Sequence, residues 1–334
     1  MIRPVIIGTG SYLPERVLTN ADLEKMVETS DEWITTRTGI KQRRIAGPGE
    51  RTARMAAAAA KNALAMAGLT PDRLDLIIVA TISADMTMPS CACLVQQELG
   101  AQNAVAFDLN AACSGFVFSL DVADKYIRQN PQLKVLVIGA EMLSGRVDWQ
   151  DRNTCVLFGD GAGACVLTGS DQGDGLLASR LFADGRLWEL LHLANAPRRQ
   201  CPSGAAAVEP ATLNRDDALP CIKMVGRDVF KYAVKAMETA VLDLLAREQL
   251  TIAEISLLIP HQANIRILKS LCERLGLPLE KAYINVDKYG NTSAASVPIA
   301  IDEASRQGRL AKGDLLLFCV FGGGFTWGAA LMRW

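Results

Sequence analysis

Two stretches of this 334-residue chain repeat one plan at a nearly constant distance. An alanine-rich helical run from Arg54 to Ala67 is followed by Leu69-Thr70 and the apolar run Asp75-Leu-Ile-Ile-Val79. A second helical run, Ala236 to Arg247, is followed by Leu250-Thr251 and Ser256-Leu-Leu-Ile-Pro260. Leu69 to Leu250 and Asp75 to Ser256 are both steps of 181 residues. The apolar runs starting at Val135 and Leu315 are 180 apart. Gly163-Ala-Cys-Val-Leu167 and Gly328-Ala-Ala-Leu-Met332 extend the match across a shorter connection. A register kept over several elements implies a duplicated unit. The short runs lack polar alternation, as expected of strands covered by helices on both faces. The fold class expected is therefore α/β, with two similar halves packed as layers, spanning 1–170 and 171–334. An irregular excursion at 197–220, with four prolines and a Ser-Gly-Ala-Ala-Ala tract, interrupts the second half.

Composition narrows the function. A net charge of −1 provides no positive field for phosphates, so nucleic acid is not expected as a partner. Nine cysteines without a CxxC pair read as reduced thiols of a cytoplasmic enzyme. Arg3-Pro4 and the short apolar run before Gly8 do not read as a signal peptide. Leu315 to Met332 is uncharged and long enough to span a membrane, but Gly322-Gly-Gly324 divides it. Two core strands joined by a glycine turn are expected there, and no membrane association.

Cys113 follows the strand-like run Ala106-Phe-Asp-Leu-Asn110. After it, apolar residues fall at Phe116, Val117, Leu120, Ala123, Tyr126 and Ile127, one face of a helix. A thiol on a first helical turn meets unpaired N–H groups and the positive dipole end, which favour thiolate. Other cysteines have blander settings: Cys165 and Cys319 inside strand runs, Cys272 on a helix. Cys91 and Cys93 are too close together for tetrahedral zinc and lack a nearby histidine, so no metal is expected. Only two histidines occur. His192 has little polar company and reads as structural, whereas His261 follows Pro260 at a strand's C-terminal end, where α/β proteins gather their sites. Tyr283-Ile-Asn-Val-Asp287 precedes Asn291 much as Ala106–Asn110 precedes Cys113, so Cys113 and Asn291 are expected at equivalent strand-to-helix turns.

The glycine-rich stretches do not form a dinucleotide fingerprint. Gly8-Thr-Gly10 is followed by Leu13 where a third glycine belongs, and Gly159-Asp-Gly-Ala-Gly163 feeds a strand. The triple glycine permits close backbone approach and N–H donation to an oxyanion. Trp33, Arg37, Lys41, Arg43 and Arg44 form either a solvated loop or a patch that stacks and pairs a nucleotide.

In these contexts Cys113, His261 and Asn291 resemble the 3-oxoacyl-acyl-carrier-protein synthase III family of the thiolase superfamily. The resemblance runs nearly end to end. It begins at Gly-Thr-Gly-Ser-Tyr-Leu-Pro, Thr-Ser-Asp-Glu-Trp-Ile and Arg-Thr-Gly-Ile, and continues through Phe-Gly-Asp-Gly-Ala-Gly-Ala. Pro-His-Gln-Ala-Asn, Gly-Asn-Thr-Ser-Ala-Ala-Ser and Phe-Gly-Gly-Gly-Phe-Thr-Trp-Gly complete it. It implies a thiolase-like five-layered αβαβα duplication, usually homodimeric, and a condensing enzyme that starts fatty-acid synthesis. By resemblance Cys113, His261 and Asn291 are catalytic, and Cys113 takes an acyl group from acyl-CoA before condensing it with malonyl-acyl carrier protein. The N–H groups of Cys113 and Gly323 form the oxyanion hole. Trp33, Arg37 and Arg152 hold the coenzyme A nucleotide, and Gln262, Ala263, Asn264, Ile265 and Arg266 dock the carrier protein. Coenzyme A thioester is a substrate, and no cofactor is implied. Met88 departs from the resemblance, standing where many relatives have an aromatic closing the acyl pocket across the dimer; Met is flexible, so a primer range broader than acetyl is expected. Two alternatives stay open: an acyltransferase or starter-unit enzyme of specialised metabolism, and a non-catalytic carrier-protein-binding homologue.

Overall fold

A computed structural model describes residues 2–194 and 220–334. The first half forms a five-stranded sheet from Arg3–Tyr12 (β1), Leu76–Ala80 (β2), Val105–Leu109 (β3), Val135–Glu141 (β4) and Gly161–Ser170 (β5), in the order β1-β5-β4-β2-β3. The second forms a four-stranded sheet from Gly175–Ala183 (β6), Leu257–Pro260 (β7), Leu315–Gly322 (β8) and Thr326–Arg333 (β9), in the order β7-β8-β9-β6. Reversed, that order is β6-β9-β8-β7, the counterpart of β1-β5-β4-β2. β4 and β8 each pair parallel on one side and antiparallel on the other.

Side-chain alternation along these strands creates the layers. Leu76, Ile78, Val135 and Val137 face inward, with Leu316, Phe318 and Val320 of the other sheet. Helices Gly115–Gln129 (α4) and Ser296–Arg306 (α7) lie between them in one continuous core. Ile77, Val79, Leu136 and Ile138 face the other way, onto helices Thr52–Ala67 (α2) and Cys91–Leu99 (α3). Leu315, Leu317, Cys319 and Phe321 do the same onto Gly226–Arg247 (α5) and Ile265–Leu275 (α6). This is the expected αβαβα arrangement, and it explains why the strands carry no polar face.

Gly8 and Gly10 lie within β1 rather than after it. A Cβ at either would stand 2.3 Å from a carbonyl of α2, that of Ala63 or Ala59. The glycines let α2 approach its strand closely, and its run of alanines supplies the matching thin surface. Of the predicted α4 stripe, Phe116, Val117, Leu120, Ala123 and Ile127 are buried. Tyr126 is instead exposed, while Asp124 is buried and bonded to Arg128 at 2.6 Å.

One local expectation is corrected. Tyr283–Asp287 does not repeat the β3 strand: Ala282 makes a single parallel bridge to Leu258, and Val286–Tyr289 is a helical turn. The helix entries themselves do repeat. Ala112–Ser114 before α4 and Ser293–Ala295 before α7 are tight turns 181 residues apart, each opening on a left-handed residue (Ala112 φ 47°, Ser293 φ 49°). In that register Asn291 corresponds to Asn110, and Cys113 to Ala294. The excursion at 197–220 lies, Pro220 aside, outside the described residues, as does Cys201. Among the described residues no helix is long and apolar enough to cross a membrane, and Leu315 to Met332 is the β8–β9 hairpin.

Candidate active site

Cys113 sits on the turn between β3 and α4, clamped by the β8–β9 hairpin of the other half. Thr326 Oγ1 donates to Ala111 O at 2.8 Å, and Ser114 Oγ donates to Thr326 O at 3.0 Å. Gly322 has no room for a side chain: a Cβ there would lie 2.7 Å from Cys113 N and 3.0 Å from Ser114 N. This is the close approach the triple glycine promised, and it brings Gly323 to the cavity wall beside Cys113.

The expected thiolate is not supported. Burial pushes the Cys113 thiol up to about 12, and the charge of Glu141 adds to the rise, against a lowering contact with Ser293. The regular helix starts only at Gly115, so the dipole acts from beyond the turn and desolvation outweighs it.

His261 leaves the end of β7 with its N–H on Cys319 O at 2.8 Å. It is buried, and burial lowers it to about 4, so the ring is neutral at pH 7. Ser296 Oγ accepts from Gln262 N at 3.3 Å and lies 2.7 Å from His261 Nδ1. This contact orients the ring and leaves Nε2 as the nitrogen without a hydrogen-bond partner among the described residues. Asn291 is held by its backbone: its N–H donates to Leu157 O at 2.8 Å, and its carbonyl accepts from Gly159 N at 3.1 Å. Its Oδ1 accepts from Ser293 N at 2.8 Å, so the amide nitrogen is the free end.

Cys113, His261, Asn291 and Gly323 line one cavity of about 1140 Å³. Trp33 and Arg37 lie on the same wall; Arg152 does not. Arg37 and Arg152 both stack on the Trp33 ring, at 4.7 and 5.2 Å from its centroid. The wider basic patch dissolves. Arg43 is fully buried and bonded to Leu18 O, Asn20 Oδ1 and Val156 O, and Arg44 is spent on Pro14 O and Glu15 O.

Of the expected docking segment, Ala263, Asn264 and Arg266 line the cavity, with Arg266 exposed and its guanidinium 5.6 Å from the Phe230 ring. Ile265 packs against Gly39. Gln262 is a correction: it is buried, with its amide committed to Pro260 O, Tyr283 O and Asn285 N, so it offers nothing to a docked partner. Met88 is 85% exposed and does not line this chain's cavity. His192, expected to be structural, is on the cavity wall, its Nδ1 3.1 Å from Glu189 O. Asn110 and Ser293 line the cavity too and were missed. Counting 181 residues back from Asn291 reaches Asn110, and forward from Ala112 reaches Ser293, so the repeat held that signal.

A duplicated αβαβα fold that gathers a cysteine, a histidine and an asparagine from three helix and strand ends defines the thiolase-like class. Comparison with known proteins narrows it. Residues 107–185 match the model of 3-oxoacyl-[acyl-carrier-protein] synthase III, and 245–334 match the model of its C-terminal part. Beta-ketoacyl-[acyl-carrier-protein] synthase III of Desulfotalea psychrophila is 56% identical over 331 residues, covering 99% of both chains. The crystal structure of 3-oxoacyl-[acyl-carrier-protein] synthase III from Aquifex aeolicus superimposes with a TM-score of 0.90 at 52% identity, covering 99% of this chain and 100% of that one. The priming beta-ketosynthase of the R1128 polyketide pathway follows at 0.89 and 33%, covering 99% and 96%. The chain belongs to the 3-oxoacyl-[acyl-carrier-protein] synthase III family.

Proposed function

We propose that this chain starts fatty-acid synthesis in two steps at Cys113. Acyl-CoA acylates the thiol and coenzyme A leaves; malonyl-acyl carrier protein then loses CO₂, and its enolate attacks the acyl-Cys113 carbonyl to give a 3-oxoacyl-carrier protein. One observation carries the reading: the His261 ring, held through Nδ1 by Ser296, and the Nδ2 amide of Asn291 stand on the wall that holds Cys113. With its hydrogen on Nε2, neutral His261 joins Asn291 as a second donor to a thioester oxygen that gains negative charge as the enolate forms. The N–H groups of Cys113 and Gly323 serve as the oxyanion hole of the acyl-transfer step.

Trp33, Arg37 and Arg152 take the coenzyme A nucleotide, and the stacked pair of guanidiniums supports that role. Arg266 receives the acidic carrier protein, with Ala263, Asn264 and Ile265 beside it. No cofactor is needed, since the thioester supplies the activated carbon. A homodimer is supported by β3, a sheet-edge strand whose Val105 is 64% exposed, and by the exposed Met88, which lies off this chain's own cavity. A cytoplasmic setting is supported by the free thiols Cys91, Cys93, Cys113, Cys155, Cys165, Cys272 and Cys319.

Intact-mass analysis with acyl-CoA tests the first step; the adduct must vanish in Cys113→Ala. Adding malonyl-acyl carrier protein must then release CO₂ and a 3-oxo product. Acylation without CO₂ release would assign the chain to other acyltransferases, and no acylation across a primer panel would make it a non-catalytic binder. Primers of rising length test Met88: strict acetyl preference would refute the broader pocket.

A further inference from the structure

Within the triad the proton that Cys113 must lose finds only a weak acceptor: burial lowers His261 to about 4, and Asn291 presents an amide NH₂. At the end of β4 stands Glu141, a carboxyl with no solvent exposure. It accepts from Ser83 Oγ at 2.5 Å, Thr81 Oγ1 at 3.2 Å and Ile82 N at 3.2 Å, and among the described residues it forms no ion pair. The turn Ser293–Ala295 lies directly on this strand end, since a Cβ at Gly139 would be 2.2 Å from Ala294 O.

Ser293 is buried, lines the cavity with Cys113, and keeps a left-handed backbone that only a constrained turn maintains. Its Oγ has no hydrogen-bond partner of ordinary geometry. A buried hydroxyl left unsatisfied is costly, so its position needs a reason. The turn that carries this hydroxyl packs both on the strand that ends at Glu141 and on the Ala112–Ser114 turn that carries Cys113, and the hydroxyl lowers both the Cys113 thiol and the Glu141 carboxyl.

We propose that Ser293 and Glu141 form the proton outlet of Cys113. The Sγ–H bond breaks and its proton passes to Ser293 Oγ as the Ser293 proton passes to a Glu141 oxygen. The thiolate then attacks the thioester carbonyl and forms the S–C bond. The departing coenzyme A thiolate takes the proton back along the same path, and Glu141 returns to carboxylate.

Electrostatics agree with the geometry. Burial raises Glu141 to about 7, and its charge in turn raises Cys113. Two negative charges side by side are disfavoured, so one charge is shared and the pair titrates as a unit. Among the described residues the Glu141 charge also raises the Cys91 thiol at the start of α3, itself held protonated by burial. The hydroxyls facing it are those of Thr81, Ser83 and Ser293.

The proposal rests on Cys113 as the nucleophile, so its test avoids the condensation. Iodoacetamide alkylation of Cys113 is followed by peptide mass spectrometry from pH 5 to 10, with melting temperature as the folding control. In the wild type the rate should rise through an inflection near pH 7 and level off. Glu141→Gln, the same size without the acceptor, should abolish the inflection, and Ser293→Ala should do so with the carboxyl intact. A wild type without the inflection, or either variant retaining it, overturns the proposal. If Glu141→Gln does not fold, Ser293→Ala alone decides. Single-turnover acylation by acyl-CoA should fall about 10²-fold in each variant, and an unchanged rate counts against the outlet. A wild type that shows the inflection yet is never acylated would leave the outlet standing and remove the acyl-CoA reading.

Discussion

Asn291→Asp changes one atom that faces the cavity. Because Oδ1 is held by Ser293 N at 2.8 Å and the backbone is tied to Leu157 and Gly159, the substituted carboxyl must keep its pose. The cavity then meets a carboxyl oxygen in place of the amide nitrogen. Loss of one donor to a developing oxyanion costs about 3–4 kcal/mol, or 10²–10³ in rate. Asn291 is nearly buried, so a carboxyl there is pushed upward by desolvation. The protonated form can still donate. The condensation defect should therefore shrink as pH falls through the raised pKa and be full above it. The two-step assay resolves this: Cys113 acylation stays within a few-fold of wild type, while CO₂ release from malonyl-acyl carrier protein falls by the full factor at pH 8 and less at pH 6. Equal loss of both steps would refute the assignment of Asn291 to the enolate, and a pH-independent defect would refute the argument from burial.

Three further outcomes are expected. His261 is held to about 4 in the fold against 6.5 unfolded, so its contribution is complete above pH 6.5 and lost as pH falls through 4. It amounts to about 3 kcal/mol, and His261→Gln should flatten the acid limb of urea-derived stability by that amount; parallel curves would contradict it. Gly322→Ala drives a Cβ into the Cys113 backbone, which cannot yield as a side chain would. It should cost about 1–3 kcal/mol in chemical denaturation and about 10²-fold in acylation, and a fully active variant would refute the clamp. Trp33→Ala removes the platform of two guanidiniums, worth about 1–2 kcal/mol, so KM for acyl-CoA should rise about tenfold with acylation at saturation unchanged; a fall in the saturated rate instead would argue against a binding role.

Much of the architecture was legible because hydrophobic order is local. The 181-residue step survives in the helix entries at 112 and 293, and the two-sided apolar runs became buried strands for the reason that predicted them. Alternation within those runs could not be read as inner or outer, since both faces are apolar; only the packing of α4 and α7 distinguishes them. Tyr283–Asp287 misled because a strand-like run is decided by its partner, and here the pairing stops after one bridge.

By itself the sequence determined which groups could do chemistry: one thiol at a strand-to-helix turn, one histidine after a strand end, and one asparagine before a second such turn. Their protonation was decided only by tertiary structure. Desolvation is a property of enclosure, so the packed layers raise Cys113 and Glu141, lower His261, and set Arg43 apart from the surface cations. Direction was decided there too. Ser296 orients the histidine ring from 35 residues away, through a bond that exists only once α7 has packed beside the end of β7, whereas Ser293 N holds the asparagine amide locally.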